Sequence, residues 1–212
     1  MITNHHCGFS AIQEHSSVEH DYLSDGFWAY KMEDELTNPG ITASILERME
    51  DVTERVNAVL NDDMSTMERE IALDSISSLI VKEATENTDL SGQVISMFEG
   101  NQYFLFLYTI YKDVRLVGAP PQSLGKFGGD TDNWIWPRHT CDFSMFRIYT
   151  GPDGRPAEYS KDNIPLKPKH HLPVSIKGVE DGDFAMIMGF PGSTDRFATS
   201  FSLQNTMDIV ND

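Results

Sequence analysis

The sequence has few basic residues. Sixteen Lys and Arg stand against 33 Asp and Glu, and the formal net charge is -17 at pH 7. Proteins that bind DNA or RNA through the phosphate backbone need clustered Lys and Arg to displace counterions. An anionic membrane surface attracts basic segments for the same electrostatic reason. The charge balance therefore excludes non-specific nucleic-acid binding and disfavours docking on an anionic membrane.

Three further features are scarce or missing. Cys7 and Cys141 are the only cysteines, and they form no Cys-x-x-Cys pair of the kind found in zinc and redox sites. No apolar run reaches the roughly 18 residues that a membrane-spanning helix needs. The first residues lack the charged, apolar and small-residue series of a secretory signal. The sequence thus predicts a chain without a membrane span and without a visible export signal.

What is present is the composition of a globular domain. The 212 residues are 40% hydrophobic and 23% charged. This length suits one ordinary domain or two small ones, and it can bury a core without metal or disulfide bonds. The chain opens on a polar loop rich in reactive side chains and closes, at residues 204–212, in the first turns of a predicted helix. We therefore expect it to be a segment of a larger protein.

A helical pattern is followed by a strand pattern. Apolar residues recur at three- and four-residue steps within residues 44–90, and Ser65 with Glu68 forms a capping-box pattern. We interpret this stretch as a helical insertion whose acidic residues lie on a solvated face. Runs of aromatic and β-branched residues predict strands at 102–111, 114–117, 143–149, 172–176 and 184–190. Short strands with one helical insertion favour a mainly β barrel fold over an alternating α/β sheet.

Two short motifs have the residue types of a proton-transfer site. His6 precedes Cys7 directly after a predicted strand, as the general-base His does in chymotrypsin-like serine peptidases. Asp142 stands just ahead of an apolar strand, as the carboxylate that orients such a His does. Each motif alone also fits an alternative without function. Paired His residues such as His5 and His6 are often a surface or structural feature, and an Asp often starts a strand.

A third motif, at residues 128–139, is the densest in the sequence. It contains two Trp, two Asp, an Asn, an Arg and a His within twelve residues. A buried Trp needs a partner for its N–H and a buried charge must be paired, so this mixture is hard to explain as core. It favours a polar pocket with an aromatic wall.

Together these motifs resemble one family. Residues 3–9, 16–28, 125–144 and 189–196 are similar, in this order, to the bacterial dipeptidyl peptidase 7 and dipeptidyl peptidase 11 family. The run Gly-Gly-Asp-Thr-Asp-Asn-Trp-x-Trp-Pro-Arg-His-Thr-x-Asp-Phe is long enough to make chance implausible. The family comprises chymotrypsin-clan serine exopeptidases of Gram-negative bacteria. The resemblance covers nearly the whole chain and is least distinctive at residues 44–90.

The resemblance implies a role for each candidate residue. His6 would be the general base and Asp142 would orient it. Asn133 would help to bind the free α-amino group of the substrate, and Trp134 would shape the same end of the cleft. Holding that amine at one distance from the nucleophile is what would make the enzyme release dipeptides. An amide oxygen suits this task because it accepts from an ammonium group without adding a charge. Arg138 is a further candidate for substrate contact, although it could equally pair with a neighbouring acidic residue.

The resemblance also implies an architecture, a compartment and partners. The expected fold is part of a chymotrypsin-like double β-barrel. Residues 1–170 would belong to the first barrel with the insertion at about 44–90, residues 171–203 would start the second barrel, and residues 204–212 would start a helical domain. The substrates would be peptides with a free N-terminus, with no cofactor, metal or nucleic acid. A periplasmic or cell-surface location and a homodimer are family expectations.

Two departures from the family pattern stand out. Cys141 occupies the position before Asp142, where the family typically has Gly, and a disulfide with Cys7 is conceivable if the two loops meet. No Gly-x-Ser-Gly stretch, the setting of the nucleophile and oxyanion hole, occurs in the 212 residues. We therefore expect the chain alone not to hydrolyse peptides, because in the family the Ser lies far downstream.

Two alternative functions stay open. A metal hydrolase is one, since several His residues, Cys7 and Asp142 are potential ligands, but their spacing matches no His-Glu-x-x-His or paired-Cys pattern. A catalytically inactive peptide-binding relative is the other, which the missing Ser would fit. Stoichiometric zinc in the purified protein would favour the first. A natural stop codon after Asp212 would favour the second.

Overall fold

The computed structural model describes residues 1–127, 140–184, 186 and 198–210. The chain divides into two compact units, Met1–Pro168 and Lys169–Asp212. The first unit contains two antiparallel sheets and the candidate site. No helix within the described residues is both long and apolar enough to cross a membrane.

The larger sheet has six strands. They are β1 (Ile2–Thr3), β2 (Phe27–Trp28), β3 (Leu36–Thr37), β7 (Asp113–Ala119), β8 (Ser144–Thr150) and β9 (Ile164–Pro165). Their order is β1-β8-β7-β2, with β3 paired to β7 and β9 paired to β8. The smaller sheet is built from β4 (Ala43–Asp51), β5 (Leu90–Met97) and β6 (Gln102–Tyr111) in the order β4-β6-β5. Within the residues that the structure describes, neither sheet closes into a barrel.

Helices and turns of helix fill the connections. The α-helices are α1 (Phe9–His15), α2 (Tyr22–Asp25), α3 (Thr53–Asn57), α4 (Thr66–Thr85), α5 (Gln122–Gly125) and α6 (Ser200–Asn205). The short helices of other types are His6–Gly8 and Met32–Asp34, which are 3-10, and Thr206–Val210, which is a π-helix. The prediction of a mainly β chain with a helical insertion is confirmed.

Two hydrophobic cores hold the first unit together. One forms where α1 packs on the larger sheet, around the buried side chains of Ile12, Val114, Leu116 and Phe146. The other lies between α4 and the smaller sheet, and its buried residues are Val52, Val56, Ile80, Tyr103, Leu105 and Leu107. The sheets join at Lys112, the single residue between β6 and β7. Because β6 runs almost directly into β7, the smaller sheet is tied to the larger sheet, which carries the candidate site.

The predicted helical insertion is partly right. Helix α4 begins with the capping box that the sequence predicts, since the Ser65 hydroxyl accepts from the Glu68 N–H at 3.3 Å and the Glu68 carboxylate accepts from the Ser65 N–H at 2.9 Å. Residues 44–51, however, are not helical. They belong to β4, which pairs with β6 along its length with a bulge between Leu46 and Arg48.

The strand β4 exists because of its partner. The central strand β6 is long and largely apolar and needs a neighbour on each side to satisfy its backbone groups. The backbone hydrogen bonds to β6 outweigh the local helical pattern, even though Ile45, Leu46 and Met49 stay exposed in β4.

The prediction of a strand at residues 172–176 is wrong for the described structure. Leu172, Val174 and Ile176 are 83, 84 and 100% exposed, and no described strand pairs with them. An alternating apolar run forms a stable strand only where a neighbouring strand and a packed face are available. The strand predicted at 184–190 lies almost entirely outside the described residues.

Candidate active site

The loop that carries His6 packs closely against β8. After β1 the chain turns into the 3-10 helix His6–Gly8, and the Gly8 N–H donates to the carbonyls of Asn4 at 3.2 Å and His5 at 3.0 Å. A Cβ added to Gly8 would lie 2.5 Å from Ser144 Oγ, so a glycine is required for this approach to β8. The register Thr3↔Ser144 between β1 and β8 then places the His6 loop beside the segment that precedes β8.

Asp142 lies in a tight turn at the start of that segment. The Phe143 N–H donates to the Cys141 carbonyl at 2.8 Å, which closes a three-residue γ-turn around Asp142. The Cys141 N–H donates to the Leu124 carbonyl in α5 at 3.0 Å. The turn and this anchor direct the carboxylate toward the His6 loop.

The two predicted catalytic residues are in direct contact. His6 Nδ1 lies 3.0 Å from Asp142 Oδ2. The other carboxylate oxygen, Oδ1, accepts from the backbone N–H groups of His5 at 2.7 Å and His6 at 3.3 Å. When Nδ1 carries the proton and donates to Asp142, the Nε2 atom is left free to accept a proton from a nucleophile. The His6 side chain is 67% exposed and that of Asp142 is 26% exposed, so the imidazole is open to a reactant.

The hydrogen bonds keep Asp142 ionised. Burial acts to raise the pKa of the Asp142 carboxyl. The Asn4 side chain, the backbone N–H groups of His5 and His6 and the His6 ring together outweigh burial, so the pKa lies below its ordinary value. A lowered folded-state pKa means that these bonds contribute fully above the unfolded pKa of about 3.9 and are lost as the pH falls through the folded-state value.

His5, the other member of the His pair, is buried. Its side chain is inaccessible, and Nε2 lies 3.1 Å from the Pro120 carbonyl. A Cβ added to Gly125 would lie 2.5 Å from His5 Cδ2 and Cγ. Gly125, the last residue of α5, therefore packs directly against the His5 imidazole. This contact supports the loop that carries His6.

Gly125→Ala is expected to lower the free energy of unfolding by about 1–3 kcal/mol, because the new methyl group overpacks a ring that has no room to move. Urea denaturation of the purified chain measures this change. Ser123→Ala, an exposed change in the same helix, is the matched control and is expected to stay within about 0.5 kcal/mol. Equal midpoints for the two variants would contradict the close packing.

The remaining predicted positions have different outcomes. Cys7 and Cys141 are both free and exposed, so the conceivable disulfide is not formed. Asn133, Trp134 and Arg138 lie outside the described residues. Within the described residues, no group of three His, Cys, Asp or Glu side chains is arranged to hold a metal ion.

One polar residue of the site escaped the sequence reasoning. The Asn4 side-chain amide donates to Asp142 Oδ2 at 3.0 Å, the same oxygen that contacts His6. The sequence signal was an Asn two positions before a His that follows a strand, which by itself is ordinary for a loop.

Comparison with known proteins identifies relatives along the whole chain. The Peptidase S46 family model matches residues 1–212. Dipeptidyl-peptidase 7 of Phocaeicola vulgatus is 49% identical over 100% of this chain, and the Asp/Glu-specific dipeptidyl-peptidase of Flavobacterium psychrophilum is also 49% identical over 100%. The chain spans about 30% of the length of each of these two relatives.

Solved structures agree with the sequence relatives. The crystal structure of Porphyromonas endodontalis DPP11 in complex with the dipeptide Arg-Glu matches with a TM-score of 0.88 and 46% identity. The match covers 99% of this chain and 31% of that chain. A second structure of the same protein, in complex with substrate, matches with the same values.

Proposed function

Because the chain belongs to the Peptidase S46 family, we propose that it is a segment of a serine-type dipeptidyl peptidase, a hydrolase that releases dipeptides from the free N-terminus of peptides. The observation that carries the proposal is the 3.0 Å contact between His6 Nδ1 and Asp142 Oδ2. A His whose Nδ1 is held by a carboxylate is the arrangement found in the Ser-His-Asp triad, in which the His acts as the general base of acyl transfer.

The roles follow from this geometry. His6 takes the proton of the nucleophilic Ser through Nε2 and returns it to the leaving amine. Asp142 fixes the tautomer of the imidazole and stabilises the imidazolium that forms. The nucleophile and its oxyanion hole are supplied by the part of the protein outside this segment. The segment itself spans about 30% of the length of its relatives.

The binding of the substrate N-terminus completes the proposal. In this proposal Asn133 binds the free α-amino group, Trp134 shapes the same end of the cleft, and Arg138 is a further candidate for substrate contact. Support comes from the family resemblance of residues 125–144 and from the dipeptide complexes solved for the Porphyromonas endodontalis protein. The full-length protein acts in the periplasm or at the cell surface and assembles as a homodimer.

The test is expression of the whole open reading frame that encodes this segment. The protein is assayed with dipeptidyl coumarylamides that carry either a free or an acetylated N-terminus. We expect the coumarylamine to be released only from the substrate with a free N-terminus, and we expect His6→Ala to abolish this release. Release from neither form, together with binding of peptides that have a free N-terminus, would instead identify a catalytically inactive relative.

A further inference from the structure

We propose that Asn4 is a positioning residue for the His6–Asp142 pair, in that its amide group holds the carboxylate in the orientation that the imidazole needs. The inference rests on the proposed function and adds a residue to its machinery. Asn4 Nδ2 donates to Asp142 Oδ2 at 3.0 Å, and His6 Nδ1 contacts the same oxygen at 3.0 Å.

The bonds to Asp142 divide between its two oxygens. Oδ1 is fixed by two backbone N–H groups, from His5 and His6, which have little freedom to move. Oδ2 faces the His6 ring, which is largely exposed, so water competes for the bond between them. The Asn4 amide is the donor that keeps Oδ2 in place when the imidazole turns or becomes protonated.

The backbone of Asn4 is held by hydrogen bonds, which fix the point from which its side-chain amide reaches Asp142. The buried hydroxyl of Ser144 donates to the Asn4 carbonyl at 2.9 Å, and the Gly8 N–H donates to the same carbonyl at 3.2 Å. Ser144 begins β8, two residues after Asp142. The donor and the carboxylate that it holds are therefore attached to the same strand end, which keeps their separation constant.

The chemistry of an amide suits this position. Asn donates to the carboxylate without bringing a charge of its own, so the Asp142–His6 pair keeps its full electrostatic attraction. The Asn4 bond is also the largest of the contributions that lower the pKa of Asp142. A carboxylate at position 4 would have the same shape but would repel Asp142 and offer no donor at neutral pH.

The first arm of the test uses the full-length enzyme. Asn4→Ala is expected to lower kcat about tenfold with KM changed less than about twofold, because a hydrogen bond to a charged group is lost from the catalytic pair and not from substrate binding. Asn4→Asp is expected to lower kcat further than Asn4→Ala does. The matched control is Asn101→Ala, which removes an exposed amide that donates to the Phe98 carbonyl in the β5–β6 connection, and it is expected to leave both constants unchanged.

The second arm does not depend on activity. Carbon NMR of the full-length protein follows the titration of the Asp142 carboxyl, and Asn4→Ala is expected to move its midpoint to higher pH while Asn101→Ala does not. If kcat and this midpoint both stay unchanged and only the thermal midpoint falls, Asn4 merely fixes the loop and the proposal is overturned. A full-length wild type without peptidase activity refutes the proposed function, and the NMR titration alone then decides whether Asn4 holds Asp142.

Discussion

A full-length enzyme that carries Asp142→Asn is expected to hydrolyse dipeptidyl substrates about 10⁴-fold more slowly than the wild type, since loss of the orienting carboxylate costs about this factor in triad enzymes. The carboxylate accepts at both oxygens, from the backbone at Oδ1 and from Asn4 and His6 at Oδ2. The side chain of an Asn offers a single acceptor oxygen. Its NH₂ group must therefore face donors that the carboxylate had satisfied.

The backbone decides which way the new amide turns. The N–H groups of His5 and His6 are fixed, so the amide oxygen is drawn to the Oδ1 position and the NH₂ group faces the His6 ring. His6 Nδ1 then becomes an acceptor and the proton moves to Nε2, the atom that must take a proton from the nucleophile. The base is present but has the wrong tautomer.

The measurement is kcat/KM with a dipeptidyl coumarylamide, together with circular dichroism to show that the variant is folded. Asp62→Asn, the same change at an exposed position, is expected to keep full activity. An Asp142→Asn enzyme that retained activity within tenfold of the wild type would contradict the role proposed for this carboxylate.

The candidate pair could be predicted because short motifs identify both residues. His6 is marked by the Cys that follows it and Asp142 by the apolar strand that it precedes. Their contact spans 136 positions of the sequence and is created by the pairing of β1 with β8, which no local pattern specifies. Only the family resemblance linked the two motifs before the structure did.

Asn4 and β4 were missed for a common reason. The role of Asn4 depends on a carboxylate 138 positions away, and the strand state of residues 44–51 depends on β6. Local patterns predict local choices, such as the capping box of α4, and the structure confirms that one. Where a distant partner supplies the decisive hydrogen bonds, the local pattern is outweighed.

The second large effect concerns stability and lies at the far end of the same sheet. Asp113→Ala is expected to lower the free energy of unfolding by about 3–5 kcal/mol, because it leaves a buried guanidinium without its counterion. Asp113 is 2% exposed and Arg115 is 8% exposed. Arg115 donates to both Asp113 oxygens, at 2.9 and 2.7 Å, and its guanidinium stacks 3.7 Å above the Tyr149 ring.

Two comparisons separate this cost from a general effect of losing an ion pair. Glu83→Ala breaks the half-exposed pair with Arg55, at 2.7 Å, and is expected to cost at most about 1 kcal/mol in the same urea titration. The double change Asp113→Leu with Arg115→Met replaces both charges by apolar groups and is expected to recover most of the lost stability. Equal costs for Asp113→Ala and Glu83→Ala would show that Arg115 finds water or another partner when Asp113 is removed.

Acidification should erase the difference between the wild type and Asp113→Ala. Burial acts to raise the pKa of Asp113, but hydrogen bonds from Arg115 and Asn163 and the charge of Arg115 outweigh it, and the pKa lies below its ordinary value. The contribution of the ionised carboxylate is therefore complete above the unfolded pKa of about 3.9 and is lost as the pH falls through the folded-state value. Urea midpoints measured at pH 7 and at successively lower pH below 4 should converge for the two proteins, and a gap that stayed constant would place the cost in packing instead of charge.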